Sequence, residues 1–287
     1  MRILILGGDG MLGHRLLAEF EGRHDAAVTL RGPFERYAAF PVLNSGKCFC
    51  DVDALDFGSI EQVVHIFEPQ VVINAIGIVK QRDDADDRRL AIEINALLPH
   101  RLATLCRERG ARLIHVSTDC VFSGSRGLYR ETDNADAEDV YGRTKFLGEV
   151  VAPGCLTLRT SIIGRELSRK RGLLEWLMAQ HGEIRGFTRA VFSGLTTHEF
   201  GRVIRMLVEW KPEAHGLYHV ASQPIDKFSL LMAIKKALDL PVEIVPDDRI
   251  VVDRSLDGSL FNQVHDYNPP SWSRMLAELR EGLTEDR

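Results

Sequence analysis

Arg2-Ile3-Leu4-Ile5-Leu6-Gly7-Gly8-Asp9-Gly10-Met11-Leu12-Gly13 opens the chain, and its reading decides the fold. A short apolar run that stops at glycine reads as a buried strand. Gly8, Gly10 and Gly13 match G-x-G-x-x-G, while Gly7, Gly10 and Gly13 also satisfy G-x-x-G-x-x-G. Glycine allows positive φ and lets backbone approach a pyrophosphate, which then sits at a helix N-terminus. The motif follows a strand and leads into Met11–Glu21, whose apolar residues recur at helical spacing. That context predicts a dinucleotide-binding βαβ unit.

Outward from this unit, β-rich runs alternate with amphipathic ones. Arg2–Leu6, Ala26–Leu30, Cys48–Val52, Gln70–Ile76, Leu113–Ser117 and Cys155–Arg159 read as strands. Met11–Glu21, Ser59–Phe67, Arg89–Arg109 and Tyr141–Val151 read as helices, with a break or kink expected at Pro99. The fold class is therefore α/β, a Rossmann-type doubly wound parallel sheet. Residues 1–163 form its NAD(P)-binding domain. The chain returns to the sheet around 196–222, and 164–287 mainly build a smaller C-terminal substrate-binding lobe.

Composition narrows the function. The chain has 287 residues, 45% of them hydrophobic, and a formal net charge of −5. This gives a sizeable core and no electrostatic footprint for nucleic acid. No apolar stretch reaches membrane-spanning length, and the start lacks the apolar core and cleavage site of a signal peptide. Five scattered cysteines fit a reducing compartment. A soluble, cytoplasmic protein is the expectation, with a homodimer left open.

The second strand ends at Arg31, where a guanidinium suits a 2′-phosphate, so NADPH is the expected cofactor and NADH its alternative. Asp51 and Val52 end the third strand, where a carboxylate can accept from an adenine amino group. Asn74, Ala75 and Gly77 end the fourth, with small residues that admit backbone near a cofactor. Tyr141 and Lys145, four residues apart, share one helix face. A cation beside a phenol stabilises the phenolate and eases proton exchange.

Gly7 to Gly13, Asn74-Ala75, Ser117-Thr118-Asp119-Cys120-Val121-Phe122-Ser123-Gly124, Tyr129-Arg130-Glu131-Thr132-Asp133 and Val140-Tyr141-Gly142-Arg143-Thr144-Lys145 occur in one family order. The chain resembles an extended short-chain dehydrogenase/reductase, specifically the dTDP-4-dehydrorhamnose reductases. The likeness continues through Leu158 to Ser161, Gly216 to Val220 and Arg254 to Asp257. It implies reduction of the 4-keto group of a dTDP- or UDP-linked 6-deoxyhexose, for surface polysaccharide, with a nucleotide sugar as substrate. Tyr141 would protonate the ketone oxygen, Lys145 would hold the ribose of the nicotinamide half, and Thr118 would hydrogen-bond the carbonyl oxygen. Gly7, Gly10, Met11 and Leu12 would join Arg31, Asp51, Val52, Asn74, Ala75 and Gly77 on the cofactor. Val79, Lys80, Ser117, Arg159 and Arg254 are candidates for substrate contact. Two departures stand out: the loop from Thr118 to Tyr141 is a residue shorter than in the rhamnose enzymes, and Cys120 stands where they often carry tyrosine.

Two other readings share the architecture. One is a sugar-nucleotide epimerase that retains NAD; the other is a dinucleotide-binding regulatory subunit without catalysis. Cys48 and Cys50 lack the further ligands of a zinc set, so no metal is expected. His198-Glu199 reads as a helix-start surface pair or a pair approaching substrate, Lys80 to Arg89 as a solvated loop or helix entry, and Ser168 to Arg171 as a basic surface cluster whose guanidinium groups also suit a nucleotide diphosphate.

Overall fold

The computed structural model describes residues 1–44, 47–79, 87–167 and 170–285. In chain order, β1 (Arg2–Leu6), α1 (Gly13–Phe20), β2 (Asp25–Thr29), α2 (Pro41–Asn44), β3 (Lys47–Phe49), α3 (Phe57–Phe67) and β4 (Val71–Asn74) come first. Then follow α4 (Arg88–Ala91), a π-helical turn (Ile92–Leu97), α5 (Leu98–Glu108), β5 (Arg112–Thr118), α6 (Val140–Leu147) and β6 (Cys155–Thr160). The rest are β7 (Ile162–Ile163), α7 (Leu173–Met178), β8 (Glu183–Phe192), β9 (Leu195–Thr196), α8 (Thr197–Glu209), β10 (Gly216–His219), β11 (Ile225–Asp226), α9 (Lys227–Leu238), β12 (Glu243–Asp253), α10 (Ser259–His265) and α11 (Trp272–Glu285).

The central sheet has the order β10-β6-β5-β4-β1-β2-β3. β1 pairs parallel with both β2 and β4, and β4 with β5. Strand order therefore reverses at β1, which makes the end of β1 the topological switch point. Ile3, Leu4, Ile5 and Leu6 are all fully buried. Burial on both faces explains a continuous apolar run in place of alternation. Leu4 and Leu6 pack with Val72, Leu113, Ile60, Val64, Phe67 and Leu102 in the core of this layer.

The chain separates into two compact units. The first comprises Met1–Ser117, Glu138–Leu158 and Gly201–Leu217; the second comprises Thr118–Ala137, Arg159–Phe200 and Tyr218–Arg287. Sequence reading keeps 118–137 with residues 1–163, yet Val121, Phe122 and Tyr129 cluster with Ala221 and Leu256 of the second unit. That unit also carries the sheet β11-β8-β12, with α7, α9 and α11 supplying its apolar partners.

Several elements depart from expectation, and α6, expected to reach Val151, ends at Leu147. The third strand ends at Phe49 because Asp51 adopts a left-handed φ of 57°, which breaks the extended run. α3 starts at Phe57, before Ser59, whose hydroxyl donates back to the carbonyls of Asp56 and Asp53 at 2.7 and 3.1 Å. Pro99 sits in the first turn of α5, where its missing N–H is harmless. The irregularity lies just upstream, in the π-helical turn.

Candidate active site

The turn after β1 is held by close backbone contacts. Gly7 has φ of 88°, its N–H reaches Thr29 Oγ1 at 3.1 Å, and Gly8 N donates to Thr29 O at 2.8 Å. A Cβ at Gly13 would lie 2.0 Å from Gly7 O, and one at Gly8 would lie 2.5 Å from Val28 Cβ. The glycines thus press the turn onto β2 and onto the start of α1. No side chain caps α1 and no acidic residue occupies its first turn. Its leading amides are suited to an anion, as a dinucleotide diphosphate requires. Met11 is half-buried and Leu12 buried.

Around the neighbouring strand ends, Arg31 is exposed and lies 3.5 Å from the Asp53 carboxylate. Asp51 is exposed, whereas the Val52 side chain belongs to the apolar core. Asn74 is fully buried; its Oδ1 accepts from Ile76 N at 3.1 Å, and its amide nitrogen lies 3.1 Å from His115 Nδ1. It shapes the Ala75–Gly77 segment from beneath. Ala75 N donates to Leu6 O at 3.2 Å, a Cβ at Gly77 would meet Asn95 Oδ1 at 3.5 Å, and Val79 is exposed. Lys80 lies outside the described residues.

α6 begins at a true cap, since the Asp139 side chain accepts from Gly142 N at 2.8 Å. Tyr141 is half-buried in its first turn. One turn later Lys145 is only 5% exposed and donates from Nζ to Val116 O at 2.7 Å. Burial brings its pKa down to about 8, against the opposing pull of Glu149. Ser117 Oγ donates to Glu149 Oε1 at 2.7 Å, which ties Ser117 to the end of this helix.

Sequence reasoning missed Asn95. It sits in the π-helical turn, accepts from Ile78 N at 2.8 Å, and donates to Ile78 O at 3.0 Å and to Thr144 Oγ1 at 3.3 Å. It thereby joins the 75–79 segment to α6. A Cβ at Gly148 would lie 1.9 Å from Asn95 O, so α6 ends in near contact with that turn.

Thr118 is the first residue of the second unit. Its hydroxyl donates to Asp119 Oδ1 at 3.0 Å and accepts from Cys120 N at 3.1 Å. Arg159 is a core group, 3% exposed, with its guanidinium 3.1 Å from His219 Nε2 and over the Phe122 ring. Arg254 donates from Nε to Phe122 O at 2.8 Å. The Cys48 thiol donates to Leu43 O, and burial pushes its pKa up to about 11.

The RmlD substrate binding domain model matches residues 1–246. The chain belongs to this family. It is 28% identical over 238 residues to a dTDP-4-dehydrorhamnose reductase of Salmonella typhimurium, covering 77% of this chain and 73% of that protein. It is also 27% identical over 266 residues to methionine adenosyltransferase 2 subunit beta of Bos taurus, covering 84% and 73%. Among solved structures, the dTDP-4-dehydrorhamnose reductase of Bacillus anthracis in complex with NADP superposes with a TM-score of 0.79 over 100% of this chain and 99% of that one, at 22% identity. Family membership and this likeness bear out the resemblance read from the sequence and the Rossmann-type fold. No helix among the described residues is long and apolar enough to cross a membrane.

Proposed function

We propose that this RmlD-family chain catalyses NADPH-dependent reduction of the 4-keto group of a dTDP- or UDP-linked 6-deoxy-4-ketohexose, supplying a deoxysugar for surface polysaccharide. One observation carries the reading: a lysine ammonium buried against Val116 O, one helical turn from Tyr141. A structural helix has no use for a desolvated cation at that position.

The glycine turn fits a dinucleotide, because a Cβ at Gly13 would run into the backbone of Gly7 and one at Gly8 into the Val28 side chain, so only glycines allow a turn this tight ahead of the uncapped amides of α1. Backbone at Gly7, Gly10, Met11 and Leu12 would hold the diphosphate. Arg31, Asp51 and Val52 would serve the adenosine end, while Asn74, Ala75 and Gly77 would line the nicotinamide end. When bound, NADPH supplies hydride. Lys145 would bind ribose hydroxyls and, as a cation, lower the pKa of the Tyr141 phenol. Tyr141 gives the proton that turns the reduced carbonyl oxygen into an alcohol. Thr118 would steady that oxygen, and its proton must leave Asp119 to do so.

The test is oxidation of NADPH by purified protein with dTDP- and UDP-linked 4-keto-6-deoxyglucose. Turnover that disappears in Tyr141→Phe while NADPH affinity persists supports the proposal. Failure with every ketosugar overturns it.

The Bos taurus relative favours a second reading, a non-catalytic regulatory subunit that binds dinucleotide. Under that reading NADPH binds tightly, nothing turns over, and Tyr141→Phe changes no measurable property. The retained Tyr141 and Lys145 favour the enzyme.

A further inference from the structure

Asn74 ends β4, and His115 of β5 is its partner in the ladder between the two strands. Strand alternation puts both side chains on the face that also carries Val72 and Leu113, which belong to the apolar core of this layer. Asn74 is fully buried and His115 is 1% exposed. Their polar ends meet at 3.1 Å, Asn74 Nδ2 against His115 Nδ1. Among the described residues nothing bonds to His115 Nε2, and the proposed chemistry assigns the ring no part. A leucine here would fill the apolar face without the cost of a stranded polar atom. The ring is explained by what Nδ1 does.

Ile76 decides that role. Its backbone N–H can only donate, and it reaches Asn74 Oδ1 at 3.1 Å. The amide oxygen is therefore turned to Ile76 and the NH2 group to His115, so Nδ1 must accept. The single ring proton then sits on Nε2, and the ring is neutral. Burial keeps it so, helped by the charges of Lys145 and His100. A proton on Nδ1 would set two donors against each other. Turning the amide over would relieve that clash only by presenting its NH2 group to the Ile76 N–H. The state of His115 thus decides whether the Ala75–Gly77 segment keeps its hydrogen bond to Asn74.

We infer that His115 is a positioning residue, which fixes the Asn74 amide and through it the Ile76 N–H, and so sets the Ala75–Gly77 segment for the nicotinamide end of the cofactor. This role rests on the reading above for one point, the placing of Ala75 and Gly77 at that end. It needs no ketone reduction, so it holds for a dinucleotide-binding subunit as well. The competing role for His115 is plain core packing, which would be blind to the nicotinamide and indifferent to where the ring proton sits.

Calorimetric titration of NADPH and of 2′-phospho-ADP-ribose, which lacks the nicotinamide, separates these roles. His115→Phe keeps a ring but strands the Asn74 NH2 group. It should weaken NADPH about tenfold and the shorter ligand by less than about twofold. His115→Asn returns an oxygen to the place of Nδ1 and should recover most of the NADPH affinity. Packing predicts the reverse order, since phenylalanine keeps the volume that asparagine loses. His115→Leu serves if His115→Phe melts far below wild type. Nitrogen NMR of the isotope-labelled, NADPH-bound protein should show His115 protonated on Nε2 alone, from about pH 8 down to about pH 5.5, where an ordinary histidine is largely charged. A proton on Nδ1, equal losses on both ligands, no loss on either, or no rescue by asparagine overturns the positioning role. Wild type that binds NADPH but reduces no ketosugar overturns the reductase reading and leaves this role standing. Wild type that binds no NADPH overturns both.

Discussion

The Lys145 ammonium donates to Val116 O at 2.7 Å from a position only 5% exposed. Among the described residues one carbonyl answers a group that carries three donors and a full charge. Burying the ammonium in this way costs stability, and the cost has a measurable signature.

Lys145→Met should stabilise the protein at neutral pH. Burial brings the folded pKa from 10.5 to about 8. Between those values the unfolded chain holds the proton that the folded one has released, so stability rises with pH across that window. Below about pH 8 both states are charged and the penalty is present in full. Removing the ammonium should gain on the order of 1–3 kcal/mol at pH 7, and the gain should vanish above about pH 10.5. Urea unfolding at a series of pH values checks this, together with loss of turnover. No gain at pH 7 would refute the account.

Gly13→Ala should be far more damaging than Gly10→Ala. The first Cβ would lie 2.0 Å from Gly7 O and 2.8 Å from Gly8 Cα, both backbone; the second would meet only Gly7 O, at 3.3 Å. Backbone cannot yield without opening the turn, so Gly13→Ala should cost about 1–3 kcal/mol and more than tenfold in NADPH affinity. Gly10→Ala should stay within a few-fold. Cofactor titration by fluorescence, beside thermal melts, separates the two.

The strand–glycine–helix opening was legible because every local signal agrees there: an apolar run, glycines at positions that need them, and an amphipathic helix. That Tyr141 and Lys145 lie one turn apart on a helix was legible from spacing. The role of Asn95 was not, since a polar residue among the apolar positions of Ile92–Leu97 looks like any helix position. Its role depends on a π-helical turn and on Ile78, distant in sequence. The partners of Arg159 were not legible either, since His219 lies sixty residues away in sequence and Phe122 on a different element.

Acid should destabilise the fold below about pH 6.5 through two buried histidines. Burial and the Arg159 charge lower the His219 pKa to about 3, and burial lowers that of His115 well below 6.5. Both stay neutral in the folded state while the unfolded chain takes up protons, so stability is lost as pH falls from about 6.5. His219 alone should account for roughly 3 kcal/mol by pH 4. His219→Gln should flatten the pH dependence of the urea midpoint between pH 4 and 6.5, at some loss of stability near neutrality. An unchanged slope would show that His219 is not the titrating group.

Asn95→Ala should uncouple the 75–79 segment from α6. The substitution leaves the N–H and carbonyl of Ile78 without their partners, now at 2.8 and 3.0 Å, in a buried setting. Stranded polar groups of this kind cost roughly 1–3 kcal/mol each, so a total of about 2–6 kcal/mol is expected. Asn95→Asp should also destabilise, because it keeps the acceptor for Ile78 N but sets a carboxylate oxygen against Ile78 O. Asn95→Gln keeps both groups but moves them by a methylene and should rescue little. Ile78 lies between Gly77 and Val79, beside the proposed nicotinamide contacts. The functional loss should therefore fall on the KM for NADPH more than on kcat. A purely structural role for Asn95 predicts lower stability with the kinetic constants of the folded fraction unchanged.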